Sequence, residues 1–395
     1  MHLRKPFSFT FPRIVGSVTG LRYNPPVRPL LRGLLLLSLT AVTPLGYSQE
    51  GRNQDSQTQS SQPQAQQVPD IQTSDHPIPN RRTAIRRALE FLHRTANNPV
   101  AFAGHGGDLM WCFYTIAHTS SDPQLRLSAL RMAYEAATKW RKANRHVPKD
   151  AAPDTIGDLV GTAYIADRLG FPDPLYKAEL RRAAQRYTVM DYLGFDAVHG
   201  PLPKDRDLGV KLWHDALITT RFGDAYGITL GAHYEDVAKW LPRMRPYTTD
   251  DDSLEFDLFY AVTHFIYTLN WYNSKQIATA LLPDEVAFIK HMLAKSMTDD
   301  DEDLEMIGEC LDTLKAFGME SDPLVQKGIA YLLENQLPTG EWVSEEDRTL
   351  YTAYHSAWTG IDGLRDYRYR GKVTSLPAMV PDCPAGPACF VANVP

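Results

Sequence analysis

The chain has 395 residues, 43% of them hydrophobic and 22% charged, with a formal net charge of −6. This is globular composition, with enough apolar material for one large core or two small ones. No basic stripe interleaved with aromatics appears, so nucleic acid is excluded as an expected partner.

Positions 1–48 carry Arg4, Lys5, Arg13, Arg22, Arg28 and Arg32 and no acidic residue. An apolar run follows Gly33. At about 13 residues it falls short of the ~20 that a membrane-spanning helix needs. Gly46 and Ser48 are small residues suited to a signal-peptidase site just before Gln49. Residues 1–48 therefore read as a signal peptide, and the mature protein is expected to be periplasmic or secreted, with no membrane span after cleavage. Residues 49–80 are rich in Gln, Ser and Pro. They lack the apolar surface to offset their ordering entropy and read as a disordered linker.

From Arg81 onward apolar residues recur with the helical period. The pattern predicts about twelve helices, near 81–95, 107–119, 123–142, 155–169, 173–190, 209–222, 234–241, 252–272, 283–296, 303–317, 321–334 and 348–366. Asp or Ser before Pro marks several of the starts. The expectation is an all-α domain over 81–370, followed by a Pro-rich tail over 371–395. Short loops between so many helices point to helical hairpins closed into a ring, an α/α toroid with a cavity at one end. The alternatives are an irregular bundle and an open helical-repeat array. Cys112 and Cys310 lie in helical patterns and are expected to be buried thiols. Cys383 and Cys389 stand in the tail, where they could close a small loop.

Taken in chain order, the first polar candidates are His105 and Asp108, in a Gly-rich loop expected to open a helix. Next come Trp213-His214-Asp215; adjacent residues on a helix do not face each other, so no His–Asp dyad follows. In the helix at 252–272, Asp257, Tyr260, His264, Tyr267 and Trp271 fall on one face, which is aromatic and polar rather than plainly apolar. Thr249-Asp250-Asp251-Asp252 and Asp299 to Asp303 are acidic runs placed just before helices, where carboxylates cap N–H groups. Glu309 and Cys310 follow in the helix at 303–317, and Tyr354, His355 and Trp358 in the one at 348–366. No Gly-x-Ser-x-Gly elbow, His-Glu-x-x-His pair or phosphate-binding Gly loop is present.

The segment Lys327 to Trp342, KGIAYLLENQLPTGEW, runs a helix into a Gln-Leu-Pro-Thr-Gly-Glu-Trp turn. That order resembles the QW motif of the terpenoid cyclases, and related turns occur in protein prenyltransferases and some polysaccharide lyases. The resemblance implies an α/α toroid, in which Gln336 caps a neighbouring helix end, Gly340 takes a special φ and Trp342 packs under the turn. The Tyr354-His355 helix also resembles that of the prenyltransferase β-subunits, over roughly residues 300–366. It implies zinc held by His355 and Cys310. Gly308 stands where that family has Asp, with Glu309 beside it.

Together these readings give Cys310, Glu309, His355 and His264 as candidate zinc ligands. His264, His355, Asp257 and Tyr260 are the candidate catalytic groups, and Tyr267, Trp271, Tyr354 and Trp358 the candidate substrate-binding rings. The leading expectation is an exported enzyme with an aromatic-lined cavity and zinc, acting on a small molecule or glycan. The alternatives are a secreted polysaccharide lyase or hydrolase, whose Tyr or His abstracts a proton, and a non-enzymatic periplasmic binding module. Export weighs against prenyl diphosphates, which are cytosolic metabolites. Mass spectrometry of the exported protein should find a mature N-terminus near Gln49; recovery of only the full-length chain in the cytosol would overturn that reading.

Overall fold

In the computed structural model, residues 78–298, 302–344 and 348–381 are described. The leader, nearly all of the linker, Asp299 to Asp301, Cys383 and Cys389 lie outside them. Thirteen α-helices are found among the described residues. They are α1 (Arg81–Asn97), α2 (Pro99–Thr119), α3 (Pro123–Ala143), α4 (Pro153–Arg168), α5 (Pro174–Ala184), α6 (Val189–Leu193) and α7 (Arg206–Tyr226). After these come α8 (Tyr234–Ala238), α9 (Asp252–Asn270), α10 (Pro283–Lys295), α11 (Leu304–Ala316), α12 (Pro323–Glu334) and α13 (Leu350–Leu364). The only sheet among the described residues pairs β1 (Gln276–Ile277) with β2 (Lys372–Val373) in parallel. The all-α expectation therefore holds.

The helix starts follow from the sequence punctuation. Asn98, Asp122, Asp173 and Asp322 each accept a backbone N–H of the turn they precede, with Pro following at the first helical positions. Asp251 and Asp303, from the two acidic runs, cap α9 and α11 in the same way. Three boundaries differ from expectation. The Gly-rich stretch at 104–107 lies inside α2, which kinks at His105 (φ −134°, ψ 17°) instead of opening there. The segment expected at 173–190 breaks after Ala184, and α6 restarts under a Thr188–Asp191 capping box. Helix α9 stops at Asn270, because Trp271, Tyr272 and Asn273 all take left-handed conformations.

Burial separates the helices into two kinds. α9 and α11 are buried almost all round, and α2 over most of its second half. α1, α3, α5 and α12 each bury one stripe and expose the other. Packing runs in a closed circuit, α2 on α4, α4 on α7, α7 on α9, α9 on α11, α11 on α13 and α13 back on α2. Side chains in the first halves of these helices meet one another, as in Tyr354 with Asp108, Tyr260 with Glu305, and Lys211 with Asp257. Second-half residues also meet, as in Trp111 and Tyr164 with Trp271. The six helices therefore run in the same direction.

The turn after α12 closes this circuit. Gln336 Nε2 donates to Ala84 O at 2.8 Å and to Gly340 O at 3.0 Å. It thus reaches a carbonyl within α1 rather than capping a helix end. Gly340 takes φ +115°, and a Cβ there would meet the Arg87 carbonyl at 2.5 Å. Trp342 is 1% exposed and donates from Nε1 to Leu332 O at 2.7 Å. Its ring lies where a Cβ on Gly360 of α13 would have to go. Replacing Gly360 by Ala is expected to destabilise the domain by about 1–3 kcal/mol through overpacking. The matched control is Gly104→Ala, where nothing lies within 4 Å of a new Cβ. Urea unfolding of both variants checks this; equal midpoints would refute it.

Candidate functional site

Glu305 and Glu309 lie one turn apart on the same face of α11, and His355 projects from α13 towards them. One ligand atom from each lies within 4.8 Å of the others. The approach depends on glycine. A Cβ on Gly308 would meet the Thr359 carbonyl carbon and oxygen at 2.8 Å, and one on Gly363 would meet the Gly308 carbonyl at 3.0 Å. This is a physical reason for the departure from the prenyltransferase pattern: position 308 has no room for an Asp side chain. The two carboxylates of this group come instead from Glu309, the next residue, and Glu305, three residues before.

Helix α9 holds both carboxylates. Tyr260 OH donates to Glu305 Oε1 at 3.1 Å, and Thr263 Oγ1 donates to Glu309 Oε2 at 3.0 Å. His355 Nδ1 stands 2.8 Å from Glu305 Oε1 without the alignment of a hydrogen bond. Its ring stacks on Tyr351 at 5.1 Å between centroids. On α2, Asp108 Oδ2 accepts from Tyr354 OH at 2.8 Å, and His105 Nδ1 lies 3.2 Å from the same hydroxyl.

Burial and mutual charge set the protonation of this cluster. Burial opposes the charge on His355, but the Glu305 charge and contact outweigh it, with Glu309 and Asp108 adding, and raise His355 to about 9. Burial would raise Glu305 as well; the His355 cation and the Tyr260 hydroxyl hold it below the usual carboxylate range. Glu309 is pushed by burial to about 8, because Glu305 and Asp312 add to the burial and outweigh the His355 charge and the Thr263 hydroxyl. At neutral pH the trio is an ion pair beside a neutral carboxylic acid. Burial also lifts Asp108 to about 6, and lifts Asp158 of α4 to about 8 with help from Asp108, Asp154 and Asp215.

The other expected residues take various positions. His264 is held neutral by burial and by His214, whose ring lies 4.4 Å away, and its Nδ1 bonds to Tyr260 O at 2.8 Å. It borders the trio and is not one of the three converging donors. Cys310 is fully buried in the apolar core, with its thiol pushed up by burial, and is also outside the three. Asp257 faces Lys211, at 3.2 Å, and is raised to about 6 by burial and by Asp207. Tyr267 OH donates to the Glu309 carbonyl. Trp358 ties its Nε1 to Asp362 at 2.8 Å and lies 5.9 Å from the His355 ring. Trp271 points into an aromatic cluster with Trp111 and Tyr164 in the second halves of the helices. Sequence reasoning missed Glu305, Asp158 and Tyr351. The i, i+4 spacing of Glu305 and Glu309 was the available signal for the first; Asp158 carries none.

Two carboxylates and an imidazole, each carboxylate steadied by a hydroxyl, suit a divalent cation such as zinc in donor type and outer support. They equally suit proton transfer, since one carboxyl is neutral and the other ionised. No protein-family model, characterised protein or solved structure matches the chain.

The pH dependence follows from the shifts. His355 and Glu309 both bind a proton more tightly in the folded chain than at their ordinary values of 6.5 and 4.5. The stability from each is complete below its ordinary value and is lost as pH rises towards about 9 and about 8. In chelator, the melting temperature should fall between pH 6 and pH 9, and should fall less steeply in Glu309→Gln. Identical slopes in the two proteins would contradict the assignment.

Proposed function

We propose that the protein is an exported enzyme acting on a neutral, hydroxyl-rich substrate such as a glycan, with Glu305, Glu309 and His355 at its centre. The observation that carries this reading is the convergence of those three side chains in a buried site. The closed circuit of six parallel helices and the Gln336–Gly340–Trp342 turn support an α/α toroid of the terpenoid cyclase and prenyltransferase kind as its architecture. Charge argues against a diphosphate substrate. Asp108 acts on His355 and Asp158 stands beside Asp108, and among the described residues the cation found at the centre is His355, already paired with Glu305. An anionic group would meet carboxylates or displace their protons. Tyr351 and Trp358, half-buried on either side of the His355 ring, are aromatic surfaces of the kind that sugar rings bind, while Tyr354 is buried behind them.

Zinc is the cation that the same three side chains would hold. When bound, it would polarise a substrate oxygen or acidify a bound water. Tyr260 and Thr263 would orient the two carboxylates, and the His355 ring would be set by Tyr351. A second, metal-free reading is favoured by the proton that burial leaves on Glu309. There Glu309 donates a proton to a leaving oxygen while the Glu305–His355 pair receives one.

The mature protein, prepared without chelator, should carry about one zinc per chain. His355→Ala and Glu305→Gln should lose it, and Cys310→Ser should keep it. Each carboxylate or imidazole substitution should also reduce turnover of a glycan panel by about 10²-fold or more. No zinc in wild type with glycan turnover that survives chelator would select the metal-free reading. Neither zinc nor Glu309-dependent turnover would overturn the proposal.

A further inference from the structure

The opposite ends of the six parallel helices carry cations and aromatic rings beside the partnered carboxylates Asp312 and Asp362. There α2 ends in Tyr114 and His118, α4 in Tyr164 and Arg168, α7 in Arg221 and α9 in Trp271. His105 and His118 are 13 positions apart on α2, which is about 20 Å along a helix. This end is thus remote from Glu305. The chain beyond α13 crosses it as a strap. Arg368 N donates to Thr119 O, Arg370 N to Ser274 O, and Arg370 Nη2 to His118 O.

Four arginines gather there. Burial and the nearby Arg370, Arg168 and Arg368 hold His118 below its ordinary value, so the three cations lie within electrostatic reach of one ring. The Tyr114 hydroxyl lies close enough to Arg168 to raise it above its ordinary value. Arg221 lies over two rings, Tyr234 at 4.8 Å and Trp271 at 4.9 Å, and its buried Nε has no acceptor. None of Arg168, Arg221, Arg368 and Arg370 forms an ion pair with a carboxylate among the described residues. Arginines elsewhere divide between those that pair with carboxylates, such as Arg81 and Arg141, and those that donate to backbone carbonyls, such as Arg94 and Arg206. Helix C-termini account for part of this charge, since a cation in the last turn offsets the dipole. Arg168 satisfies that role; Arg368 and Arg370 lie on the strap, outside any helix.

The floor beneath these cations is aromatic. Trp111 meets Tyr272 edge-on at 4.7 Å, and Tyr164 meets Trp271 at 5.7 Å. Trp271, Tyr272 and Asn273 have φ of 56°, 48° and 61° in succession, a run that bulky residues resist. Buried side-chain bonds impose it: Asn273 N donates to Asn270 Oδ1, and Asn273 Nδ2 to Asp312 Oδ1 at 2.7 Å. Such strain persists only where surrounding contacts over-determine it. Here it places two large, half-buried rings beside Arg221, which lies over Trp271.

We infer that this end of the helix circuit is a second binding site, for a small anionic ligand carrying a flat ring: an aromatic or heteroaromatic carboxylate or phosphate. The ring stacks on Trp271 and Tyr272, and the anionic group meets Arg168, Arg221 and Arg370. A guanidinium held by stacked rings is pre-organised for such a contact. The nearby carboxylate Asp224 is engaged elsewhere, with His233 and with the backbone N–H of Tyr234. The inference is independent of the Glu305 centre.

Titration calorimetry and tryptophan fluorescence with 2-naphthoate and 2-naphthyl phosphate test it, with uncharged 2-naphthol and inorganic phosphate as controls. The two aromatic anions should bind and perturb the fluorescence of Trp111 and Trp271. The neutral ring should bind about tenfold more weakly, the loss of one charge-assisted bond. Arg168→Gln/Arg370→Gln, at exposed positions, should keep the wild-type circular dichroism and lose about tenfold or more in affinity. Glu309→Gln should leave it unchanged. Equal affinity for 2-naphthol and 2-naphthoate, an unaltered affinity in the double variant, or no binding at millimolar naphthoate would each overturn the inference. Inorganic phosphate binding as tightly as the aromatic phosphate would reject the ring-stacking part.

Discussion

The contact between the turn at 336–342 and helix α1 is the constraint on which the remaining arrangement depends. It joins residues some 250 positions apart, as in Gln336 to Ala84. It also fixes α13, because the Trp342 ring fills the groove over Gly360. With α13 fixed and Gly308 and Gly363 allowing close approach, α11 settles against it. Only then do Glu305 and Glu309 face His355. A backbone packing device with no chemistry of its own thus sets the distance between groups that have much.

Parallel alignment of six helices then makes the two ends of the domain different. One end gathers helix N-termini, where carboxylates are favoured; the other gathers C-termini, where cations are. The distribution of charge follows in part. Asp108, Asp158, Glu305 and Glu309 lie at the first end; His118, Arg168 and Arg221 lie at the second, with Asp312 and Asp362 there held by partners. Burial then divides the carboxylates into ionised and proton-holding members, according to whether a cation stands beside them. Glu305 has His355 and stays charged; Asp158 has only other acids and is pushed to about 8.

The fold was largely legible in the sequence, because helical punctuation is local. Asp122-Pro123 and Asp322-Pro323 mark their helix starts with no need of tertiary information. Trp342 was legible too, as part of a turn whose Gly340 has a conformational reason to be there. The site was legible only in part. His355 and Glu309 could be named as residue types on helical faces, but which faces meet depends on contacts across the circuit. Cys310 and Glu309 are neighbours in sequence that point about 100° apart, the angle per residue of an α-helix. One reaches the centre and the other the core. Trp271 was assigned to the helical face of α9 because nothing local announces that the chain turns left-handed there. The bonds of Asn270 and Asn273, completed by Asp312 about 40 residues later, decide it.

The same closure has a consequence for the order of folding. Arg81, at the start of α1, donates from its guanidinium to the carbonyl of Leu364, 283 positions later. Until the last helix exists, α1 and α2 have an apolar flank with no partner. Contacts so distant along the chain are entropically expensive to form and slow to find. The domain therefore cannot be completed from its N-terminus as the chain emerges. Its first helix waits for its last, and the strap that crosses the arginine-rich end is laid down after both.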